Sequence, residues 1–506
     1  MPAIARGHTE DQVRKRPVAG RASGDNARML LDPDACWRAL STHDARFDGR
    51  FYVGVRSTRV YCRPVCRVRA PKRDNCRFYP SAAAAEAAGF RPCLRCRPEL
   101  APGFAAIDAS ARIVQAAVTL IEGGFLESQS LEALALRIGV TSRHLRRVFD
   151  AELGVSPIDY AQTARLLLAK RLLSDTSLPV VDVAFASGFA SVRRMNALFR
   201  DRYRMPPSRL RLQRGRRDDG LRFMLGYRPP YDWDRVLAFL AFRAIAGVEA
   251  REGDRFIRAI AIAHRGARHA GWIAIGHARR RAALDVTLSP SLSRVVPQAL
   301  ARVRHVFDLA CDPHDVAAVL GPLAAAHPGL RVPGVFEGFE AGVRAIVGQQ
   351  ISVRGMVTLL GRVAARFGEP LDAGDTPVER TFPAAETLAE AGASDIASLG
   401  LPLARARSIV ALARAVGDGL VLAPGVDVEA TIDRLLALPG IGPWTAHYIA
   451  MRGLGWPDAF LATDLGVRKA LNETATARIV AHAERWRPWR AYAVVHLWHS
   501  SLRETT

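Results

Sequence analysis

The chain has 506 residues, more than one hydrophobic core usually serves, so we expect three or four domains. Its formal net charge of +22 favours a polyanionic partner, with nucleic acid ahead of an anionic membrane surface. No apolar run is long enough to span a bilayer, and residues 1–24 lack the apolar core of a secretory signal. We therefore expect a cytoplasmic protein with no membrane partner, preceded by a disordered leader at residues 1–28.

Residues 29–104 are predicted to form a small α/β domain. A capped amphipathic helix is expected at 32–40, and alternating apolar residues predict strands at 50–55 and 58–61. Two close pairs of cysteines follow, with three residues inside the first pair and two inside the second. This spacing predicts one structural Zn²⁺ bound by four thiolates: Cys62, Cys66, Cys93 and Cys96. The remaining thiols are expected to be ordinary: Cys36, Cys76 and Cys311.

The sequence around these cysteines resembles the N-terminal domain of the Ada alkylation-response family. The matching runs are Tyr-Cys-Arg-Pro-Val-Cys-Arg at 61–67 and Gly-Phe-Arg-Pro-Cys-Leu-Arg-Cys at 89–96. The resemblance implies that Cys62, while bound to zinc, irreversibly accepts a methyl group from a DNA methylphosphotriester. A metal keeps such a thiol deprotonated and nucleophilic. Methylation would remove one negative charge, and nearby basic residues could then bind DNA more tightly: Arg63, Arg67, Arg69, Lys72 and Arg73.

Residues 108–212 predict an all-α domain with two helix-turn-helix units. Helices at 131–138 and 141–149 flank a glycine turn, and the pattern recurs on either side of Gly188. The run at 179–207 resembles the AraC/XylS regulators, in which a long helix, here about 158–174, joins two such units. Helical packing in a core is the alternative for either unit alone.

The second helix of each unit would lie in the major groove of DNA. A regulator of this class would also contact RNA polymerase. Either bases or phosphates could be the targets of six side chains on these helices: Arg143, His144, Arg147, Arg193, Arg194 and Asn196.

A polar linker at 213–220 separates this half from a different module. Residues 221–329 predict a mixed α/β subdomain, with an apolar helix ending at Ala246 and three strands. Residues 330–503 predict an all-α domain. The strands are expected at 256–263, 272–277 and 283–288, and the helices at 336–349, 353–367, 384–391, 404–417, 428–437 and 444–452.

The run Leu-Pro-Gly-Ile-Gly at 438–442 predicts a tight hairpin before a helix. Its glycines allow close backbone approach, and its amides and the helix N-terminus can face one anion. A plain helical corner is the alternative. With Asp464 downstream, the run resembles the helix-hairpin-helix DNA glycosylases, and the second half as a whole resembles AlkA, the 3-methyladenine DNA glycosylase II. This implies that the hairpin holds the DNA backbone, with a monovalent cation on its carbonyls, through Leu438, Gly440, Ile441 and Gly442.

The resemblance makes Asp464 the catalytic carboxylate. An alkylated base is already cationic and leaves readily, so the enzyme must stabilise an oxocarbenium-like sugar. A helix N-cap is an alternative role for Asp464, and both roles can hold together. The competing carboxylates are Asp458, Asp433 and Glu429.

A flipped cationic base needs electron-rich aromatic walls, and the family places residues of the pocket and its base-flipping wedge at Trp444, Tyr448, Trp498, Gln349 and Gln350. The best-known enzyme of the family has leucine where Gln350 stands here. Strand-cleaving relatives carry a lysine where Trp444 stands, so we expect a monofunctional enzyme that leaves an abasic site.

These observations predict a multidomain α+β protein that links alkylation repair to its regulation. It would bind double-stranded and alkylated DNA and release 3-methyladenine-type bases. One alternative is a regulator whose C-terminal half only binds DNA. Another is a glycosylase whose N-terminal half only localises it on DNA.

Overall fold

The computed structural model describes residues 32–44, 47–66, 68, 71–101, 109–211 and 220–501. The predicted leader and all of the predicted linker except Gly220 lie outside the described residues. The described chain is multidomain and α+β, as predicted, with two small sheets and otherwise helices. None of its helices is long and apolar enough to cross a bilayer.

The cysteine-bearing segment is a four-stranded sheet flanked by helices α1 (Pro33–Ser41) and α2 (Ala82–Ala87). The carboxylate of Asp32 accepts the amides of Asp34 and Ala35, which confirms the predicted cap. The strands are β1 (Tyr52–Val55), β2 (Val60–Cys62), β3 (Cys76–Tyr79) and β4 (Arg91–Pro92). The sheet order is β3-β1-β2-β4, and the pairing of β2 with β4 is parallel. The neighbours β2 and β4 therefore bring the two cysteine pairs together.

The next segment contains two helix-turn-helix units, as predicted. Both turns use a glycine in the left-handed region, Gly139 at φ +81° and Gly188 at φ +80°. Thr141 and Ser191 cap the second helices by accepting an amide three residues on. The helices are α3 (Ala109–Glu122), α4 (Leu131–Ile138), α5 (Ser142–Leu153), α6 (Pro157–Asp175), α7 (Val180–Ala186) and α8 (Val192–Tyr203).

The α/β subdomain contains an antiparallel five-stranded sheet and four helices. The elements are β5 (Leu221–Gly226), α9 (Trp233–Ala241), β6 (Glu249–Glu252), β7 (Arg255–His264), β8 (Ala267–Ala278), β9 (Ala283–Leu288), α10 (Val296–Val306), α11 (Pro313–Leu320) and α12 (Pro322–Ala325). The order of the sheet is β5-β9-β8-β7-β6. The three predicted strands are present, and the two edge strands β5 and β6 were not predicted. The apolar helix ends at Ala241, not Ala246, because a turn through Gly247 at φ +77° leads the chain into β6.

The remaining part is helical, as predicted. One continuous apolar core serves these helices, and Ile441 of the hairpin is part of it. Ala385–Ala397 is kinked where Gly392 adopts φ +79°. The helices are α13 (Gly338–Val347), α14 (Val353–Phe367), α15 (Ala385–Ala397), α16 (Leu403–Gly417), α17 (Val428–Leu436), α18 (Pro443–Arg452), α19 (Leu465–Leu471), α20 (Thr476–Ala483) and α21 (Arg490–Ser501).

A buried charge network fastens the sheet to the helical part. Glu340 on α13 accepts hydrogen bonds from Arg258 on β7 (3.0 Å) and from Arg344 (2.7 Å). Arg344 also donates to Glu249 on β6 at 2.6 Å. All four side chains are buried. Burial would raise the pKa of Glu340, but the two guanidinium groups outweigh it and hold the pKa well below its usual value.

We expect Glu340→Ala to lower the free energy of unfolding of this part of the chain by roughly 3–5 kcal/mol, because it leaves buried guanidinium groups without their partner. Urea unfolding followed by tryptophan fluorescence measures this. The matched control is Glu369→Ala, since Glu369 pairs with Arg268 at the surface and is 50% exposed. Equal losses for the two variants would contradict a fastening role for the network.

Candidate metal centre and candidate active site

The four predicted zinc ligands lie together. Cys62 ends β2, Cys66 follows a tight turn, and Cys93 and Cys96 follow β4. Their Sγ atoms all lie within 4.8 Å of one another. Tetrahedral zinc–thiolate bonds place sulfur atoms about 3.8 Å apart, so the cluster fits one Zn²⁺. Cys66 and Cys93 are buried, whereas Cys62 and Cys96 are partly exposed and therefore accessible to a reagent.

Hydrogen bonds hold the loops of this centre. The amide of Arg63 donates to the Sγ atom of Cys96 at 3.4 Å, and its guanidinium donates to the Cys96 carbonyl at 3.3 Å and to Asp48 at 2.8 Å. Such second-layer donors orient ligands and moderate the charge on a thiolate. Arg63 is thus engaged inside the protein. Its predicted contribution to DNA binding after methylation of Cys62 stays a prediction.

The other basic residues near the centre differ in their surroundings. Arg73 forms an ion pair with Asp34. Lys72 is exposed, and Arg67 and Arg69 lie outside the described residues. Burial raises the pKa of Cys36 and of Cys311 to about 12 and that of Cys76 to about 11. These thiols stay protonated at neutral pH, in line with their predicted ordinary character.

The recognition helices present their basic residues to solvent. Arg143 and Arg147 on α5 are exposed, and the guanidinium of Arg147 contacts the Nδ1 atom of His144 at 3.0 Å. On α8, Arg193 and Arg194 are exposed and Asn196 is partly buried. All six predicted side chains therefore lie on the two capped second helices, the elements that enter a DNA groove in this motif.

The hairpin at 438–442 shows why glycine occurs twice. Gly440 has φ +76°, and a Cβ atom there would lie 2.1 Å from Ser408 Oγ. A Cβ atom at Gly442 would meet no atom within 4 Å, so that glycine leaves its surface open to a ligand. Ile441 lies between these two glycines. Its side chain is buried, and its amide already donates to the carbonyl of Leu438 at 3.3 Å.

Asp464 is the point where three helices meet. Its Oδ1 atom accepts the amide of Val467 at 3.1 Å, which makes Asp464 the N-cap of α19. The indole of Trp498 donates to the same oxygen at 2.8 Å, and the indole of Trp444 donates to Oδ2 at 3.0 Å. The residue is partly exposed. The cap role predicted as an alternative is real, and the carboxylate is also fixed among the predicted aromatic residues.

The aromatic residues around Asp464 form two stacked pairs. Trp444 and Tyr448 lie 5.1 Å apart between ring centroids, at 19°. Trp498 lies 6.3 Å from Phe239 at 12°. The guanidinium of Arg243 covers Phe239 at 3.7 Å, and that of Arg452 lies 5.6 Å from the ring centroid of Tyr448. No sequence pattern indicated Phe239, because only the fold brings α9 to α21.

Two arginines, Arg452 and Arg243, lie close to Tyr448. Buried Arg452 donates to the Tyr448 hydroxyl at 2.6 Å and to the carbonyls of Pro333 and Gly334. Burial alone would raise the pKa of Tyr448, but Arg452 and Arg243 outweigh it and lower the pKa. The hydrogen bond from Arg452 to its hydroxyl fixes the ring of Tyr448 in place.

The two glutamines predicted at the wedge differ. The side-chain amide of Gln349 donates to the Gly440 carbonyl at 3.0 Å and to Thr445 Oγ1 at 3.2 Å. Gln349 is thus bound to the hairpin. Gln350 is exposed at the tip between α13 and α14 and has φ +55°.

The competing carboxylates lie in other settings. Buried Asp458 receives two hydrogen bonds from Arg490, at 2.8 and 2.9 Å, and pairs with Arg487. Asp433 and Glu429 are exposed on α17. Only Asp464 among the four is held by pocket aromatic residues.

Four protein-family models match the chain in series. They are the metal binding domain of Ada (residues 35–99), a helix-turn-helix domain (134–213), the AlkA N-terminal domain (222–337) and the HhH-GPD superfamily of base excision DNA repair proteins (343–485). The chain is 38% identical over 488 residues to the probable bifunctional transcriptional activator/DNA repair enzyme AlkA of Mycobacterium tuberculosis, covering 93% of this chain and 97% of that protein. The chain belongs to this bifunctional AlkA family.

Two further relatives match the halves of this family member separately. DNA-3-methyladenine glycosylase 2 of Escherichia coli is 40% identical over 55% of this chain and 97% of its own length. The bifunctional transcriptional activator/DNA repair enzyme AdaA of Bacillus subtilis is 31% identical over 42% of this chain and 94% of its own length. The predicted fusion is thereby confirmed.

The metal centre makes a direct prediction for this AlkA family member. The purified chain should contain one zinc per molecule, and Cys93→Ser should lower the zinc content, since three thiolates bind the ion more weakly. Elemental analysis after gel filtration measures the ratio. Cys76→Ser is the matched control and should keep one zinc. Full zinc content in Cys93→Ser would contradict the assignment of the ligands.

Proposed function

We propose that the chain hydrolyses the N-glycosidic bond of alkylated purines in DNA, and that its N-terminal half senses the same damage and regulates transcription. The carboxylate of Asp464, fixed by the indole N–H groups of Trp444 and Trp498, is the observation that carries the first part. Trp444, Tyr448 and Trp498 would receive the flipped cationic base on their π faces.

The reaction divides between the substrate and Asp464. The bond from the sugar carbon to the base nitrogen breaks, and its electron pair leaves with the base, which departs neutral. The carboxylate stabilises the positive charge that develops on the sugar. Water then forms the new bond to the sugar carbon and gives its proton to the carboxylate. Trp444 supplies no amine that could form a Schiff base, so the product is an intact strand with an abasic site.

The hairpin would hold the DNA backbone at the pocket. Helix α18 begins with Pro443, and its N-cap Gly442 provides no side chain, so its first amides can face a phosphate. A carbonyl oxygen has two lone pairs, so the Gly440 carbonyl can bind a monovalent cation beside its bond to Gln349. Exposed Gln350 would occupy the space left by the extruded base.

The N-terminal half would act as a methylation sensor. Partly exposed Cys62 attacks the methyl carbon of a methylphosphotriester, so that a sulfur–carbon bond forms, the carbon–oxygen bond breaks, and a phosphodiester leaves. Zinc would keep the thiol deprotonated for this step. The loss of one negative charge would favour DNA binding by the exposed residues of α5 and α8, and promoter-bound protein would contact RNA polymerase.

We expect Asp464→Asn to slow the release of methylated purines from alkylated duplex DNA by roughly a hundredfold or more, because the amide cannot stabilise the sugar cation. Chromatography of released bases measures this, with DNA affinity recorded in parallel. The control Asp433→Asn removes an exposed carboxylate near the hairpin and should keep full activity. Unchanged release by Asp464→Asn would contradict the mechanism. If the wild-type chain released no methylated purine, a regulator whose C-terminal half only binds DNA would be favoured. Strand cleavage without alkali would contradict monofunctional chemistry.

We expect one methyl group per chain on Cys62 after incubation with DNA that carries labelled methylphosphotriesters. Peptide mass spectrometry locates the label. Cys62→Ser should take up none, and Cys76→Ser should match the wild type. Label on Cys66, Cys93 or Cys96 instead would contradict the assignment. Equal promoter affinity before and after methylation would favour a tether over a sensor.

A further inference from the structure

A buried carboxylate lies between the metal-centre domain and the second helix-turn-helix unit. Glu86 on α2 is 4% exposed. It accepts hydrogen bonds from the hydroxyl groups of Tyr61 at 3.0 Å, Thr163 at 3.0 Å and Tyr203 at 3.2 Å. The donors come from three separate elements, β2, α6 and α8. We refer to these four residues as the Glu86 cluster.

A carboxylate is a costly choice for this position. Burial raises the pKa of Glu86 to about 7, against the pull of its hydroxyl partners. An apolar residue of similar size would fill the space without a charge to desolvate. The carboxylate adds directional hydrogen bonds, because each of three hydroxyl groups must point at one of its two oxygen atoms when the two domains pack together. The Glu86 cluster therefore fixes how the two domains fit together.

On one side the cluster reaches the cysteine centre. Tyr61 directly precedes Cys62, its ring is fully buried, and its carbonyl accepts the amide of Cys93 at 3.0 Å. One residue thus borders a ligand from each cysteine pair. A displacement of Tyr61 would change the geometry of Cys62 and Cys93 together.

A second anchor ties the other end of the cysteine segment to α6. Arg97, which follows Cys96, donates to Asp175 at 2.6 Å. Glu99 accepts two hydrogen bonds from Lys170, both at 2.8 Å, and both side chains are 3% exposed. A residue next to each cysteine pair is therefore linked to the long helix α6. Tyr61 is linked to it through Glu86 and Thr163, and Arg97 is linked to it directly through Asp175.

On the other side the cluster reaches the DNA-reading element. Tyr203 is the last residue of α8, and its ring packs edge-on against Phe199 at 5.1 Å. The same helix presents Arg193 and Arg194 to solvent. The end of α8 is thus held by a carboxylate that also holds the residue before Cys62.

We propose that Glu86 is a positioning residue that couples the four-cysteine centre to the second recognition helix. The inference deepens the proposed sensor function and rests on its zinc centre and its recognition helix. Coupling between two sites is reciprocal in free energy. A change at the end of α8 therefore alters how tightly the cysteine centre holds its metal, and a change beside Cys62 alters the stability of α8.

The test is a double-mutant cycle on the zinc-loaded full chain, with zinc release to excess chelator followed by a chromogenic indicator. Tyr203→Phe removes one hydroxyl in the helix-turn-helix segment and should speed release roughly three- to tenfold. In a Glu86→Leu background the same substitution should have no further effect. Tyr160→Phe is the matched control, because its hydroxyl donates to Glu122 at 2.9 Å in the same region and does not reach Glu86. It should release zinc at the wild-type rate.

Hydrogen exchange tests the coupling in the opposite direction, from the cysteine centre to α8. Tyr61→Phe should raise amide exchange at residues 199–203, whereas Tyr160→Phe should not. If Glu86→Leu fails to fold, Glu86→Gln replaces it in the cycle, because an amide offers the three hydroxyl groups only one acceptor oxygen. Wild-type zinc release in Tyr203→Phe, or an equal effect of Tyr203→Phe with and without Glu86, would overturn the coupling. Neither measurement depends on methyl transfer or base release, so failure of the proposed function would appear separately in those assays.

Discussion

The active-site half depends on the hydrogen bonds that converge on one carboxylate. Asp464 ends a loop, caps α19 and receives the indole N–H groups of Trp444 on α18 and Trp498 on α21. Capping is compatible with the proposed catalytic role, because the cap turns the carboxylate toward the aromatic residues. N–H donors on both oxygens fix the position from which the carboxylate would stabilise a cationic sugar. Local helix chemistry and the proposed catalytic geometry thus share the same atoms.

The two halves are packed together. The second helix-turn-helix unit and the five-stranded sheet share one apolar cluster, which includes Phe199 and Phe223. Arg50 of the cysteine-bearing domain donates to Asp312 and Asp315 of the α/β subdomain, each at 3.0 Å. Such contacts between modules are not those of a flexible tether, and they give the N-terminal and C-terminal halves a defined relative position.

Sequence reasoning succeeded where the signal is local. Helical patterning placed Leu131–Ile138 and Val353–Phe367 to the residue, and cysteine spacing placed the metal centre. It missed β5 and β6 because each is a short edge strand, and β6 is largely charged. It also missed Phe239 and Glu86, whose partners lie far away along the chain. No sequence pattern shows that Asp48 folds back against Arg63.

The hairpin and the tip that carries Gln350 form one connected surface. Gln349 donates to the Gly440 carbonyl and to Thr445, so the end of α13 is held against the turn that would bind the DNA backbone. The next residue, Gln350, is exposed in a left-handed conformation that non-glycine residues seldom adopt. That strain is sustained by the anchor beside it. The residue that we propose for the gap in a DNA duplex is therefore positioned by the hydrogen bonds that also hold the hairpin. A polar side chain at this tip would still suit the proposed wedge, because the rigidity of the wedge would come from its backbone.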